Sequence, residues 1–110
     1  MKAAVADRPD NSHTDKIVLR DSKGGEKSYY LTVVQNEIPS LILVCGKSGE
    51  EANGDSEVIG RLINTCLGLG VKPSELAKVI DKVDGGQLGT YHGRVVKSKA
   101  EIMAQALRQL

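Results

Sequence analysis

The hydrophobic pattern of this chain changes period once, and that change limits the folds open to it. Up to residue 45 the apolar residues fall in strand-like runs; beyond residue 54 they recur at helical spacing. Residues 15–20 alternate, with Ile17 and Leu19 on one face and Lys16, Val18 and Arg20 on the other. That is the pattern of a half-buried strand. Residues 28–35 (SYYLTVVQ) are rich in β-branched and aromatic types and predict a second strand. Residues 41–45 (LILVC) predict a third. Asp21-Ser22-Lys23-Gly24-Gly25 and Asn36-Glu37 with Pro39 supply short connections, so the three strands form an antiparallel meander.

A glycine-rich loop is expected over residues 46–54, with Asp55 or Ser56 capping the helix that follows. Val58, Ile59, Leu62, Ile63, Cys66 and Leu67 form its apolar stripe, and Gly70 stops it. Pro73 and Ser74 open a second helix with Leu76, Val79, Ile80 and Val83 on its apolar face, ended by Gly85-Gly86. Residues 89–93 are expected to be a glycine-rich loop and 94–97 a short extended piece. Ser98 then caps a last helix with Ile102, Met103, Ala106, Leu107 and Leu110 on its stripe.

Strands and helices segregate, so the expected class is α+β: a three-stranded antiparallel meander, two helices, a Gly-rich loop and a C-terminal helix. A length of 110 residues fits one domain. Residues 15–110 form that domain, and 1–14, polar or small and without periodicity, are expected to be a flexible arm. His13 lies in this arm and is assigned no chemical role.

The third strand does not alternate. Leu41, Ile42, Leu43 and Val44 are apolar on both faces, the mark of a sheet covered on both sides. Helices can cover one side; in so small a chain a second subunit is expected on the other, hence a homo-oligomer. The chain has three tyrosines and no Phe or Trp, so its core is aliphatic and stacking platforms are scarce. Tyr29 and Tyr30 point to opposite faces, one inward and one exposed. Lys and Arg number 15 against 14 Asp and Glu, which argues against duplex nucleic acid as a partner. Cys45 and Cys66 make no disulfide framework and are read as buried thiols in a reducing cytosol. No apolar run reaches the ~18 residues of a membrane span. No secretory signal opens the chain, and a cytoplasmic protein is expected.

Two segments invite a ligand. Gly46-Lys47-Ser48 follows an apolar strand and resembles the end of a Walker A loop. That pattern requires glycine at position 41, which is Leu41, so only a looser anion nest remains open to Lys47 and Ser48. In Gly89-Thr90-Tyr91-His92-Gly93-Arg94, two glycines flank a Tyr and a His, and a cation follows. Tyr91 is expected to stack on a base, Arg94 to pair with a phosphate, and His92 to lie beside them. Residues 87–110 carry Arg94, Lys97, Lys99 and Arg108 against Glu101, the most basic stretch of the chain. Arg61 is a further candidate, off the apolar stripe of its helix. No metal-ligand spacing, nucleophile elbow or paired acid motif occurs, so neither catalysis nor a cofactor is expected.

The order of motifs resembles the TSCPD domain, the small C-terminal domain of many cobalamin-dependent ribonucleotide reductases. The resemblance covers roughly residues 26–110. It rests on Gly46-Lys47-Ser48-Gly49 at the turn, Gly60-Arg61-Leu62-Ile63 in the helix and Ser98-Lys99-Ala100-Glu101-Ile102-Met103-Ala104-Gln105-Ala106-Leu107 at the end. The chain departs from the family where Lys99-Ala100 replaces Cys-Pro and Glu101 replaces Asp, so any thiol or metal role of that Cys is lacking. The resemblance implies a nucleotide ligand. The plan is also similar to that of the Thoeris anti-defence sponges of phages, which implies sequestration of a cyclic nucleotide signal in a host cytoplasm. The competing expectation is an accessory subunit of a nucleotide-metabolism enzyme such as a split reductase. A single-stranded nucleic-acid binder ranks third, disfavoured by near-neutral charge.

Overall fold

The computed structural model describes residues 11–45 and 50–110, and the side chains of residues 11–45 and 54–110. Five antiparallel strands form one sheet: β1 (Ser12–Asp21), β2 (Glu26–Val34), β3 (Ser40–Cys45), β4 (Gln87–Tyr91) and β5 (Arg94–Val96). Their order is β3-β2-β1-β4-β5, so β3 and β5 are the edges. Helices α1 (Glu50–Gly68), α2 (Pro73–Ile80) and α3 (Lys99–Arg108) complete the chain. The class is α+β, and β1 to β3 form the expected meander.

Side-chain alternation decides where the core lies. Ile17, Leu19, Tyr29, Leu31, Val33, Leu41, Leu43 and Cys45 all point to one face and are buried there. Ile63, Leu67, Leu76, Ala77, Ile102, Met103, Ala106 and Leu107 pack on them from the helices. The core is aliphatic apart from Tyr29 and Tyr91. On the opposite face Tyr30, Ile42, Val44, Leu88 and Val95 are exposed. The apolar two-sided character of β3 is therefore real, but among the described residues only its inner side is covered.

Several boundaries differ from the sequence expectation. β1 begins at Ser12, so His13 and Thr14, expected in the arm, belong to the sheet. Pairing with β2 carries the strand on (Ser12 lies opposite Val34), and the Gln35 N–H donates to Asn11 O at 2.7 Å. Residues 1–10 of the expected arm lie outside the described residues, as do 46–49 of the expected Gly-rich loop. Residues 50–54 of that loop are helical instead, so Asp55 and Ser56 sit inside α1 and do not cap it. The segment Glu50-Glu51-Ala52 is made of good helix formers, which outweigh the cost of about 1 kcal/mol for Gly54.

The face α1 buries is also rotated. Val58 and Leu62, expected on the stripe, are exposed, while Ser56 and Gly60 face the sheet with Ile63 and Leu67. Small residues allow this close approach: a Cβ on Gly60 would sit 3.6 Å from Leu41 O. Asn64, one turn on, fixes the helix to the edge strand, accepting from Leu41 N at 2.8 Å and donating to Leu41 O at 3.0 Å. Gly70, at φ +93°, stops the helix as expected. α2 ends at Ile80, short of Gly85-Gly86, and its Val79 and Val83 face outward while Leu76 and Ala77 are buried. Cys66, expected to be buried, is half-buried, and Cys45 is buried; neither forms a disulfide.

The expected loop over 89–93 is a hairpin. His92 (φ +51°) and Gly93 (φ +75°) make a two-residue turn between β4 and β5. Both positive φ values match the primed turns whose twist suits a hairpin. Ser98 caps α3, its Oγ accepting from Glu101 N at 3.2 Å, while Glu101 Oε1 accepts from Lys97 N at 2.6 Å. Ser98 and Glu101 thus stand at capping-box spacing, with the return bond going to the residue before the cap.

Candidate functional site

The candidate site residues fall in three separate places. Lys47 and Ser48 lie outside the described residues. Arg61 is ion-paired with Glu57 one turn away and flanks an apolar groove between α1 and the β3 edge. Tyr91, His92 and Arg94 are neighbours in sequence but diverge around the hairpin.

Tyr91 points into the core and is 5% exposed. Its hydroxyl donates to Asp15 Oδ2 at 3.2 Å. A ring packed on both faces cannot stack a base, so the expected stacking role does not fit its position. Burial, then the negative Asp15 beside it, hold its phenol well above the ordinary tyrosine range. His92 leaves the turn toward the same carboxylate, with Nε2 3.7 Å from Asp15 Oδ2, and His13 Nε2 lies 3.8 Å from it. Asp15 is therefore ringed by Tyr91, His92 and His13. Sequence reasoning missed this cluster because Asp15 and Tyr91 are 76 residues apart.

Arg94 turns the other way. It lines a cleft of about 280 Å³ between β5, the C-terminal end of α2 and α3, with Lys82, Arg108, Asp81, Glu101 and Gln105. Charge accounting inside this cleft is informative. Asp81 is taken by Arg108, which also donates to Gln105 Oε1 at 3.0 Å. Glu101 is engaged with the Lys97 N–H. Arg94 and Lys82 have no carboxylate partner among the described residues. Two cations without an ion-pair partner among the described residues therefore open on one concavity, and its charged lining (Arg94, Lys82 and Arg108 against Asp81 and Glu101) leaves a net charge of +1. Lys82 is also held at φ +60°, a left-handed conformation that a β-carbon disfavours. Such strain is common at functional positions. Sequence reading singled out Arg94 and noted Arg108 but had no means of finding Lys82, which arrives from another element.

The TSCPD-domain family model matches residues 5–110, essentially the whole chain. The chain belongs to the TSCPD domain family. No curated protein and no solved structure gives a significant match to it. In this TSCPD domain Lys99 Nζ reaches the buried Ser56 Oγ of α1 at 3.4 Å. Ser98 and Glu101 carry the α3 cap. The segment is thus a helix start and a helix-to-helix tie. No group of three or more His, Cys, Asp or Glu among the described residues is placed to hold a metal. No helix among them is long and apolar enough to cross a membrane.

Proposed function

We propose that this TSCPD domain is a non-catalytic binding protein for a nucleotide, whose phosphate is held in the cleft of Arg94, Lys82 and Arg108. The observation that carries the reading is the pair of cations without an ion-pair partner, Arg94 and Lys82, on one concave surface of net positive charge. Guanidinium groups pair with phosphate oxygens through two parallel hydrogen bonds, and lysine adds a point charge. Membership of a family linked to ribonucleotide reductases supports a nucleotide as the anion. Binding and release of an intact ligand need affinity and no reactive group, so sequestration of a cyclic nucleotide is the specific activity we assign. The ligand contacts are then Arg94 and Lys82, with Arg108 orienting the site from its bond to Asp81. Lys47, Ser48, Arg61 and His92 stand further from this reading.

One observation favours a second reading, an accessory subunit of a nucleotide-metabolism enzyme or a homo-oligomer. It is the open sheet face with Ile42, Val44, Leu88 and Val95 exposed. Apolar patches of this kind mark contact surfaces. Light scattering of the purified chain separates the two parts of this reading.

The test of the main proposal is thermal melting against a panel of mononucleotides, cyclic dinucleotides and cyclic trinucleotides. A ligand at ~100 times its Kd adds ~2.7 kcal/mol, about 10 °C for a domain of this size. A selective shift with the ligand recovered unchanged is the expected result. A flat panel contradicts the proposal.

A further inference from the structure

The outer face of the sheet presents a flat ring beside an unpaired cation. The chain has three tyrosines and no Phe or Trp. Tyr29 and Tyr91 are 3% and 5% exposed, and Tyr30 is 38% exposed. Tyr30 is therefore the one tyrosine ring of this protein that a ligand can reach; the imidazoles of His13 and His92 are exposed elsewhere, beside Asp15. In the strand register Lys16 lies directly opposite it on β1, and Val44 lies opposite it on β3. Lys16 has no carboxylate partner among the described residues. In the next row Thr14 and Thr32 bond to each other through their hydroxyls at 2.7 Å, with Ile42 beside them. Beyond Lys16 the face continues as a hollow of about 510 Å³ floored by Val18, Leu88 and Val95.

Charge decides what covers this face. Burying an unpaired ammonium under a protein partner costs several kcal/mol unless that partner brings an acid to it. A second copy meeting it with the same face brings no free one. Among the described strand residues of this face Glu26 is the one carboxylate, and it is already paired with Arg20. A small ligand with a flat ring and an anionic group meets both needs at once: the ring lies on Tyr30 and the anion on Lys16. Stacking of this kind tolerates any base, because each has a π-face.

We propose that the open sheet face is a nucleotide-binding platform in which Tyr30 stacks the base and Lys16 pairs with the phosphate. It is separate from the Arg94 cleft and takes from the reading above only the class of ligand. The two threonine hydroxyls stand where a ribose or a second phosphate oxygen finds donors. The same chemistry is offered by a free nucleotide and by a nucleotide within a single strand.

The experiment is an NMR titration of the full chain with adenosine 5′-monophosphate, ribose 5-phosphate and a short oligothymidylate, repeated on Tyr30→Leu, Lys16→Gln and Arg94→Ala. The expected result has four parts. Adenosine monophosphate moves the Tyr30 ring and Lys16 signals, and ribose 5-phosphate leaves the ring unmoved. Tyr30→Leu weakens the mononucleotide about tenfold with an otherwise native spectrum. Lys16→Gln weakens it severalfold and flattens its salt dependence. Arg94→Ala leaves the Tyr30 shifts in place. An oligothymidylate that binds far more tightly than the mononucleotide supports the platform with a single strand as its source. Shifts confined to Arg94 and Lys82, with affinity unchanged in Tyr30→Leu, overturn this proposal and leave the cleft reading standing. Concentration-dependent shifts of Tyr30, Ile42 and Val44 without nucleotide give the face to a second copy and overturn it too. A spectrum unmoved by any of the three probes overturns the platform and leaves the cleft to the cyclic-nucleotide panel.

Discussion

Lys82 carries two opposing demands. At φ +60° its side chain costs backbone energy, and it is one of the two cations of the cleft without an ion-pair partner. Lys82→Gly therefore raises stability by about 1 kcal/mol, the left-handed penalty of a β-carbon, while weakening an anionic ligand. Chemical denaturation and binding of the same variant check both signs. If Lys82→Gly loses stability, the residue is held by contacts that the strain argument omits. Tyr91 makes a different prediction. Its phenol is raised above an ordinary value near 10, and Tyr29 is raised in the same direction by burial. In the folded chain these phenols keep their protons where the unfolded chain has lost them. Stability is then full below pH ~10 and falls as pH rises past it toward the folded values. Tyr91→Phe shows a shallower alkaline loss than the wild type in Tm against pH from 8 to 11. An identical slope contradicts the placement of Tyr91.

At the level of elements, the start of α3 rests on Ser98. Ser98→Ala removes the bond to Glu101 N and costs about 1 kcal/mol, readable as a lower midpoint in urea with unchanged slope. A midpoint that stays where it is means the cap contributes nothing. What the sequence disclosed at this scale depended on how local each signal was. Ser98 before an apolar stripe, Gly70 after one, and the alternation of Ile17 and Leu19 are decided by near neighbours, and the structure bears them out. The β4–β5 hairpin was not legible, because its turn is His92-Gly93 rather than a common Asn-Gly and β5 has three residues. Its fit to the sheet comes from Gly89, where a Cβ would lie 2.3 Å from Val18 O, a constraint made by a distant strand. The stripe of α1 was misread for a related reason. Counting only large apolar residues passes over Ser56 and Gly60, whose smallness brings the helix onto β3.

The whole molecule is a sheet with helices on one side and an open face on the other. Fold class followed from the order of strand and helix patterns, which is a property of the entire chain. The candidate site was half legible: Arg94 stood out by charge, whereas Lys82 joins it only through the packing of α2 against α3. Tyr91 looked like a surface ring and is core, while Tyr29 and Tyr30, read as one inward and one exposed with neither singled out, divide with Tyr29 in the core and Tyr30 toward solvent. The central claim is that two unmatched cations make the cleft an anion site. The most direct test is calorimetric titration of a nucleotide that raises Tm into the wild type and into Arg94→Ala. The account predicts a loss of about 1–3 kcal/mol in Arg94→Ala with the melting temperature of the free protein unchanged. Equal affinity in the two proteins would contradict it.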